Sequence, residues 1–315
     1  MIEGRTTDGK LGSIGAGGVA WRSRAFRLAK ELSGSFRESR LGRSALLTRL
    51  RKFGRRRMLK WLEHGDYLLI EVDGHPMYIF NEPHFLSFYL DETYEPYTTR
   101  LFKNALTVGG TVLDVGANIG CFSLIAGRRV GPQGKVYAFE PGPDNFGLLE
   151  RNIHLNGLEN IIAIRKAVGN GSKTIQFRLA ERSDHHSIFV PPMVATKEVI
   201  SVESTTIDET LQGKPVDVIK MDIEGNELSA LEGMQETIRR SEALTLFVEL
   251  NPVCLRQAGV RPGDLVERLT VLGFRLFAIA EEDRRLTPVT GTSVREFENH
   301  PEGWFVNLYC VNHRR

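Results

Sequence analysis

The stretch Val112-Leu113-Asp114-Val115-Gly116-Ala117-Asn118-Ile119-Gly120 carries the clearest structural signal in this chain of 315 residues. Its first four residues form a short apolar run interrupted only by Asp114, which is typical of a buried strand. A turn of small residues follows, and apolar residues starting at Phe122 indicate a helix. Small residues let the backbone approach a ligand, and a helix N-terminus presents unpaired N–H groups. We therefore predict a strand–turn–helix ligand site, with Asn118 in the left-handed conformation that Asn tolerates.

A second acid stands at the distance that a nucleotide site requires. Glu140 comes twenty residues after Gly120 and ends the strand-like run Lys135–Phe139. An acid at this place in a nucleotide-binding fold accepts hydrogen bonds from ribose hydroxyls. A dinucleotide fingerprint would need glycines at 116, 118 and 121, but Asn and Cys occupy the last two positions. Asp114, two residues before the first glycine, suits a ligand with a cationic amino-acid portion better than a pyrophosphate.

Strand and helix patterns alternate on both sides of this turn. The strand-like runs are Thr111–Val115, Lys135–Phe139, Ile161–Arg165, Val216–Met221, Leu244–Leu250, Arg275–Ile279 and Trp304–Val311. Helical patterns such as Phe146–Asn156 lie between several of them, which predicts an α/β fold with a mostly parallel, seven-stranded sheet covered on both faces. Two further runs, Thr174–Leu179 and Glu198–Glu203, break the alternation and predict an inserted β-hairpin. Another hairpin is predicted around Asp73-Gly74.

The charge distribution divides the chain more sharply than its overall charge of +2 suggests. Residues 1–62 hold 16 Lys and Arg against 4 Asp and Glu, whereas the remainder is net acidic. We predict three parts: a basic, partly disordered and partly helical N-terminal extension over 1–62, a hairpin and helix over 63–108, and the α/β domain over 109–315. The extension is either a solvated helix packed on that domain or a patch for anionic lipid or polyanionic substrate.

Composition and cysteine usage exclude several classes of protein. Apolar residues make up 41% of the chain and charged residues 25%, as in ordinary globular proteins. The sequence has no run of eighteen apolar residues and no apolar core of a secretion signal, so we expect a cytoplasmic protein that is at most peripheral to a membrane. Three widely spaced cysteines, Cys121, Cys254 and Cys310, are typical of buried thiols in a reducing compartment.

With these motifs in place, residues 94–250 resemble the FkbM-type S-adenosylmethionine (SAM)-dependent methyltransferases, a family with the seven-stranded, Rossmann-like class I fold. The matching blocks, in order, are Tyr94-Glu95-Pro96, the Asp114–Gly120 turn, Phe139-Glu140-Pro141, Asn152 with Asn156, Lys166-Ala167-Val168-Gly169, Thr206-Ile207-Asp208, Lys220–Glu227 and Val248-Glu249. The resemblance implies methyl transfer from SAM to a hydroxyl of a saccharide, glycan, lipid-linked or secondary-metabolite acceptor. The implied cofactor-binding residues are Glu95, Asp114, Gly116, Ala117, Asn118, Gly120, Glu140, Pro141, Ala167 and Asp222.

Candidate catalytic groups lie at the end of the fourth core strand. Alternation sends Lys220 and Asp222 to the same face, and a lysine in an apolar strand needs a charged partner. A hydroxyl acceptor must lose a proton as its oxygen attacks, so carboxylates or histidines are required nearby. We expect Asp222 and Glu249 to bind the acceptor and take its proton, with Lys220 and Glu224 as further catalytic candidates. His185 and His186 are the remaining bases, unless they belong to a solvated loop.

Other interpretations of these residues stay open. Glu224 and Glu227 could serve only to complement a helix dipole. Asp222, Glu249 and Asn251 could hold a divalent cation, although we expect no metal. A nucleic-acid methyltransferase would use the basic extension on phosphates, but Asp222-Ile-Glu-Gly differs from the segment typical of base amino-methylating enzymes. A protein that binds SAM only as a sensor is the non-catalytic alternative.

Overall fold

The computed structural model describes residues 67–82, 94–180, 186–189, 194–300 and 304–313. The predicted basic extension, residues 1–62, lies outside these ranges, as does His185. The chain divides into two compact units, one formed by residues 1–71 and 77–91 and the other by residues 72–76 and 92–315. The strands β1 (Tyr67–Val72) and β2 (His75–Phe80) form a two-stranded sheet. They flank Asp73 and Gly74, both at positive φ, as the predicted hairpin requires.

The larger unit is built on an eight-stranded sheet. Its strands, in chain order, are β3 (Thr111–Val115), β4 (Lys135–Phe139), β5 (Ile161–Ile164), β9 (Val218–Met221), β10 (Ala243–Leu250), β11 (Arg275–Ala280), β12 (Arg285–Pro288) and β13 (Val306–His313). The spatial order is β12-β11-β13-β10-β9-β3-β4-β5. The five strands from β10 to β5 are parallel, whereas β13 is antiparallel to both β10 and β11. All seven predicted strands are present, and β12 adds an eighth at the edge.

Helices lie between these strands, as the alternating pattern predicts. They are α1 (Pro96–Ala105), α2 (Cys121–Val130), α3 (Pro143–Asn156), α4 (Ile207–Leu211), α5 (Glu227–Glu232), α6 (Gln235–Arg240), α7 (Pro252–Gln257), α8 (Pro262–Val271) and α9 (Gly291–Asn299). Among the residues described, no helix has the length and apolarity to cross a bilayer. The fold is therefore α/β with a mostly parallel central sheet, as expected from the sequence.

The inserted hairpin is also present and is slightly larger than predicted. The strands β7 (Thr174–Ala180) and β8 (Thr196–Thr205) pair antiparallel, and the two-residue strand β6 (Ala167–Val168) pairs with β8 to make a separate three-stranded sheet. Its apolar side chains, including Phe177 and Val202, form a small core of their own.

The central strands are buried on both faces, which explains their continuous apolar runs. Leu113 and Ile219 are fully buried in the main core. On α1, the fully buried Phe102 contacts Phe122 and Phe247 edge to face, at centroid distances of 5.0 and 5.6 Å. These contacts bury large apolar surfaces and pack α1 against α2 and β10.

Candidate functional site

The chain reverses its direction of winding between β3 and β9. From β3 it proceeds through β4 to β5 on one side, and later through β9 to β10 on the other. Ligands of open α/β sheets bind beyond the carboxyl ends of the strands at such a switch point. The predicted site residues Asp114, Glu140, Lys220 and Glu249 all lie on the strands next to this point or directly after them.

The turn after β3 has the backbone geometry that its sequence predicts. Gly116 and Gly120 have φ values of 86° and 99°, and Asn118 is left-handed at φ 51°. A Cβ atom at Gly116 would lie 1.9 Å from the carbonyl oxygen of Asp222, so only glycine fits between the two strand ends. The turn therefore brings its backbone close to the end of β9.

Glu140 is bound to this turn by its side chain. Its Oε2 accepts a hydrogen bond from the N–H of Asn118 at 2.9 Å, and its Oε1 accepts from the N–H of Gly142 at 2.8 Å. Burial raises the pKa of Glu140 to about 7, and these two hydrogen bonds oppose the shift. Each oxygen has a remaining lone pair for a ligand hydroxyl. The amide oxygen of Asn118 is buried and has no partner among the described residues.

Asp114 is buried inside the site, with 2% of its surface exposed. The hydroxyl of Ser123, in the first turn of α2, donates to its Oδ2 at 2.5 Å. Burial raises the pKa of Asp114 to about 6, while the Ser123 hydrogen bond and the charge of Lys220 lower it. Asp114 and Lys220 are register partners in the β3–β9 ladder, which the sequence pattern alone could not show.

Lys220 confirms the predicted ion pair. Its Nζ lies 3.3 Å from Oδ2 of Asp222 and 5.3 Å from the ring centroid of Phe122. Burial disfavours the ammonium, but Asp222, Glu95, Glu249 and Asp114 together raise the pKa of Lys220 above its ordinary value. The side chain of Asp222 is 25% exposed, so this end of the ion pair is accessible.

Two further acids join this cluster. Burial, and then the charges of Asp222 and Glu224, raise the pKa of Glu249 well above its ordinary value. Glu95, the residue before α1, is left-handed at φ 44°, and burial raises its pKa to about 7. Its Oε1 accepts a hydrogen bond from Nδ2 of Asn307 at 2.8 Å, and its Oε2 is buried without a partner among the described residues.

The two acids that follow Asp222, Glu224 and Glu227, contact the backbone and side chains around the start of α5. Glu227, the first residue of α5, accepts hydrogen bonds through Oε1 from the N–H groups of Gly225 and Ile223, at 3.1 and 3.4 Å. Burial raises the pKa of Glu227 to about 8. Glu224 precedes α5 and is left-handed at φ 50°, so it does not lie in the first turn of the helix, as the helix-dipole alternative requires.

Asn251, which the metal alternative names as a ligand, makes hydrogen bonds within the protein. Its Oδ1 caps α7 by accepting from the N–H groups of Val253 and Cys254, and its Nδ2 donates to Oε2 of Glu224 at 2.9 Å. Within the described ranges, no group of three or more His, Cys, Asp and Glu side chains has the geometry to hold a metal ion.

Two further predicted residues, His186 and Ala167, are held by contacts of the inserted hairpin. His186 accepts a hydrogen bond at Nδ1 from the N–H of Ala180, so this nitrogen is not free to act as a base. Ala167 is buried in the small core of the inserted hairpin. Two contacts were not predicted: Asn307 with Glu95, and Glu281 with the start of α1. Both join residues more than 180 positions apart, and no local pattern marks them.

Comparison with known proteins agrees with this geometry. A family model described as the methyltransferase FkbM domain matches residues 114–276, just over half of the chain. "Methyltransferase sdnD" from Sordaria araneosa is 30% identical over 40% of this chain and 60% of its own length. "Hexuronic acid methyltransferase AglP" from Haloferax volcanii is 29% identical over 50% of this chain and 60% of its own length. The matches therefore span about 60% of the length of these curated relatives.

Among solved structures, a SAM-dependent methyltransferase from Aquifex aeolicus has a TM-score of 0.39 and 17% sequence identity, covering 69% of this chain and 88% of that chain. The family match covers the strand–turn–helix site, Glu140, and the strand ends that carry Asp222 and Glu249. The chain belongs to the FkbM methyltransferase family.

Proposed function

We propose that this protein transfers the methyl group of SAM to a hydroxyl oxygen of a saccharide, glycan, lipid-linked or secondary-metabolite acceptor. The observation that carries the proposal is Glu140, held by two backbone N–H groups at the end of β4 and beside the Gly116–Gly120 turn. Family membership supports methyl transfer, and the Haloferax relative described as a hexuronic acid methyltransferase supports a sugar acceptor.

The residues present fit SAM. Glu140 offers acceptor lone pairs for the two ribose hydroxyls. The buried amide oxygen of Asn118 could accept a hydrogen bond from the ligand, since it has no partner among the described residues. Gly116 and Gly120 let the turn adopt positive φ beside the end of β9. The residues that would hold SAM are Asp114, Gly116, Ala117, Asn118, Gly120, Glu140, Pro141 and Ala167. When bound, SAM supplies an electrophilic methyl on a sulfonium, whose departure needs no proton.

The charge of the cluster suits this donor. The charges of Asp222, Glu95, Glu249 and Asp114 all act on the ammonium of Lys220, so these four acids carry excess negative charge over the lysine when they are ionised. A cationic ligand is attracted to such a site. Discrimination between SAM and its neutral thioether product follows from the same charge.

Asp222 and Glu249 are the proposed proton acceptors. Asp222 is partly exposed at the end of β9, and Lys220 holds its carboxylate in place. Glu249 is 6% exposed at the end of β10, where burial raises its pKa above the ordinary value and so strengthens it as a proton acceptor. The protein's task is to align the hydroxyl and to accept its proton during attack. Glu224 stays a weaker catalytic candidate because it is bonded to Asn251.

The experiment is a transfer assay with methyl-labelled SAM. The panel contains methyl glucoside, methyl galactoside, glucuronic acid, an alkyl glucoside as a lipid-linked mimic, and total RNA. We expect label in at least one sugar, as an alkali-stable ether. Label in RNA alone would favour the nucleic-acid alternative. Calorimetric binding of SAM without transfer to any compound would favour the sensor alternative. The role of residues 1–62 at an anionic membrane stays a prediction, because they lie outside the described residues.

A further inference from the structure

The polar residues of the site form a row that follows the strand order. Glu140 comes after β4, Asp114 lies on β3, Lys220 on β9, Glu249 on β10 and Asn307 on β13. Neighbouring strands lie about 4.8 Å apart, so four strand spacings place Asn307 about 19 Å from the Glu140 end. Glu140 is assigned to the cofactor ribose above. The opposite end of the row is therefore available to the methyl acceptor.

Asn307 has the properties of a ligand-binding residue at that end. It is 4% exposed, and its Nδ2 donates to Oε1 of Glu95 at 2.8 Å. With its nitrogen turned toward Glu95, the amide of Asn307 keeps Oδ1 as its remaining acceptor. Within the part of the chain that the structure describes, Oδ1 of Asn307 and Oε2 of Glu95 are both buried and lack hydrogen-bond partners. Two buried acceptors without donors are energetically costly unless a ligand or water supplies the donors.

Glu95 is held firmly in this arrangement. A left-handed conformation is strained for a residue other than glycine, so surrounding contacts must hold it. One is the Asn307 hydrogen bond, and another is Glu281, whose carboxylate accepts from the N–H groups of Tyr97 and Thr98 at 2.9 and 2.8 Å. Glu281 thereby caps the helix that starts after Glu95.

The neighbouring groups define the chemistry of the ligand. Glu249 is the register partner of Asn307 across the β10–β13 ladder, and the charges of Glu249 and Glu95 each raise the pKa of Lys220. The site thus offers three acceptors, namely Glu95, Asn307 and Glu249. Hydroxyl groups donate to such acceptors, whereas a carboxylate or phosphate of the ligand would add negative charge to a site where burial and neighbouring acids already raise the pKa values of Glu95 and Glu249.

We propose that Glu95, Asn307 and Glu249 form a subsite for neighbouring uncharged hydroxyls of the methyl acceptor, with Asn307 as a specificity-determining residue. Any anionic group of the acceptor lies outside this subsite. The inference rests on the proposed methyl transfer. Glu95 and Asn307 lie outside the range matched by the family model, whereas Glu249 lies within it, so the subsite joins the matched domain to the segments that flank it.

The test combines a substitution with a change in the substrate. Asn307→Ala is compared with the wild-type protein on the sugar that reacts fastest in the panel above, and on analogues lacking one hydroxyl next to the methylated one. Asn312→Ala is the matched control: Asn312 is also a buried asparagine on β13, 5% exposed, and donates to the carbonyl of Leu272 at 3.1 Å. SAM binding to each variant is measured by calorimetry.

We expect Asn307→Ala to raise the KM for the full sugar about tenfold, with the Kd for SAM changed less than about twofold. The analogue that lacks the hydroxyl bound by Asn307 should react about equally with the wild-type protein and with Asn307→Ala. In that pair, the hydrogen bond is already lost from the substrate side. A weakened SAM affinity with unchanged sugar KM would overturn the proposal and assign the Glu95–Asn307 pair to the cofactor, as the family resemblance implies for Glu95. Equal losses for Asn307→Ala and Asn312→Ala would show a structural role only. A wild-type protein that methylates no sugar would instead count against the proposed function, and the subsite would fall with it.

Discussion

Asp114 on β3 and Lys220 on β9 are direct register partners in the parallel ladder at the centre of the sheet. Both are almost fully buried, and Lys220 is surrounded by four carboxyl groups. The positive charge of Lys220 therefore reduces the repulsion between the acids at these strand ends. Without it, the acids at these strand ends would repel one another.

The first prediction concerns this lysine. Lys220→Met should lower the free energy of unfolding by about 3 kcal/mol at pH 7, because it removes one partner of a buried charge cluster. Urea denaturation measures the loss. Lys214→Met, at an exposed lysine, is the control and should have little effect. Wild-type stability in Lys220→Met would mean that the acids are uncharged in the folded state.

The second prediction separates backbone strain from close packing in the turn. Gly116→Ala should cost more than about 3 kcal/mol of stability, because its Cβ would overlap the backbone of Asp222. Gly157 also has positive φ, at 61°, in the left-handed region, but a Cβ there meets no atom within 4 Å. Gly157→Ala should therefore cost only about 1 kcal/mol. Chemical denaturation of both variants checks this, and equal losses would refute the close approach.

The third prediction concerns ribose recognition. Glu140→Gln replaces one carboxylate oxygen with an NH₂ group, which cannot accept from the N–H of Asn118 or of Gly142. The Kd for SAM should rise at least about tenfold, and adenosine should lose affinity similarly. Calorimetry is the measurement, and Glu150→Gln on the exposed face of α3 is the control. If adenosine affinity is unchanged, Glu140 does not contact the ribose.

The fourth prediction is a pH dependence. Burial raises the pKa of Glu227 to about 8, and the pKa values of Glu95 and Glu140 to about 7. In the unfolded chain these groups lose their protons near pH 4.5, so between about pH 4.5 and 8 the folded state holds more protons. Their contribution to stability is therefore complete below that window and is lost as the pH rises through it.

Thermal unfolding should show this as a falling Tm between pH 5 and pH 8. Glu227→Gln keeps the acceptor for the Gly225 N–H and carries no charge. It should therefore flatten the slope and stabilise the protein by at least about 1 kcal/mol at pH 8. Glu232→Gln, at an exposed residue of the same helix, should leave the slope unchanged. If Tm falls with pH as steeply in Glu227→Gln as in the wild-type protein, the raised pKa of Glu227 does not cause the pH dependence.

Features that depend on neighbouring residues in the sequence could be predicted, whereas contacts between distant segments could not. The turn at Gly116, the left-handed Asn118 and the position of Glu140 are written in short, contiguous patterns, and the structure confirms them. The edge strand β12 was missed because Arg-Leu-Thr-Pro is short, largely exposed and without alternation. The contact between Asn307 and Glu95 was missed because it joins segments 212 residues apart, outside any motif.

The last prediction distinguishes catalysis from binding at the strand ends. Asp222→Asn retains the shape of the side chain but removes a proton acceptor, so kcat should fall at least about 100-fold. Lys220 would still face Glu95, Glu249 and Asp114, so the cluster keeps its compensation and the Kd for SAM should change less than about threefold. Single-turnover assays and calorimetry separate the two effects, with Asp144→Asn at an exposed site of α3 as the control. If kcat survives in Asp222→Asn and falls in Glu249→Gln, the proton goes to Glu249 at the end of β10. That result would place the reacting hydroxyl one strand nearer to Asn307, because Glu249 and Asn307 are paired residues of adjacent strands.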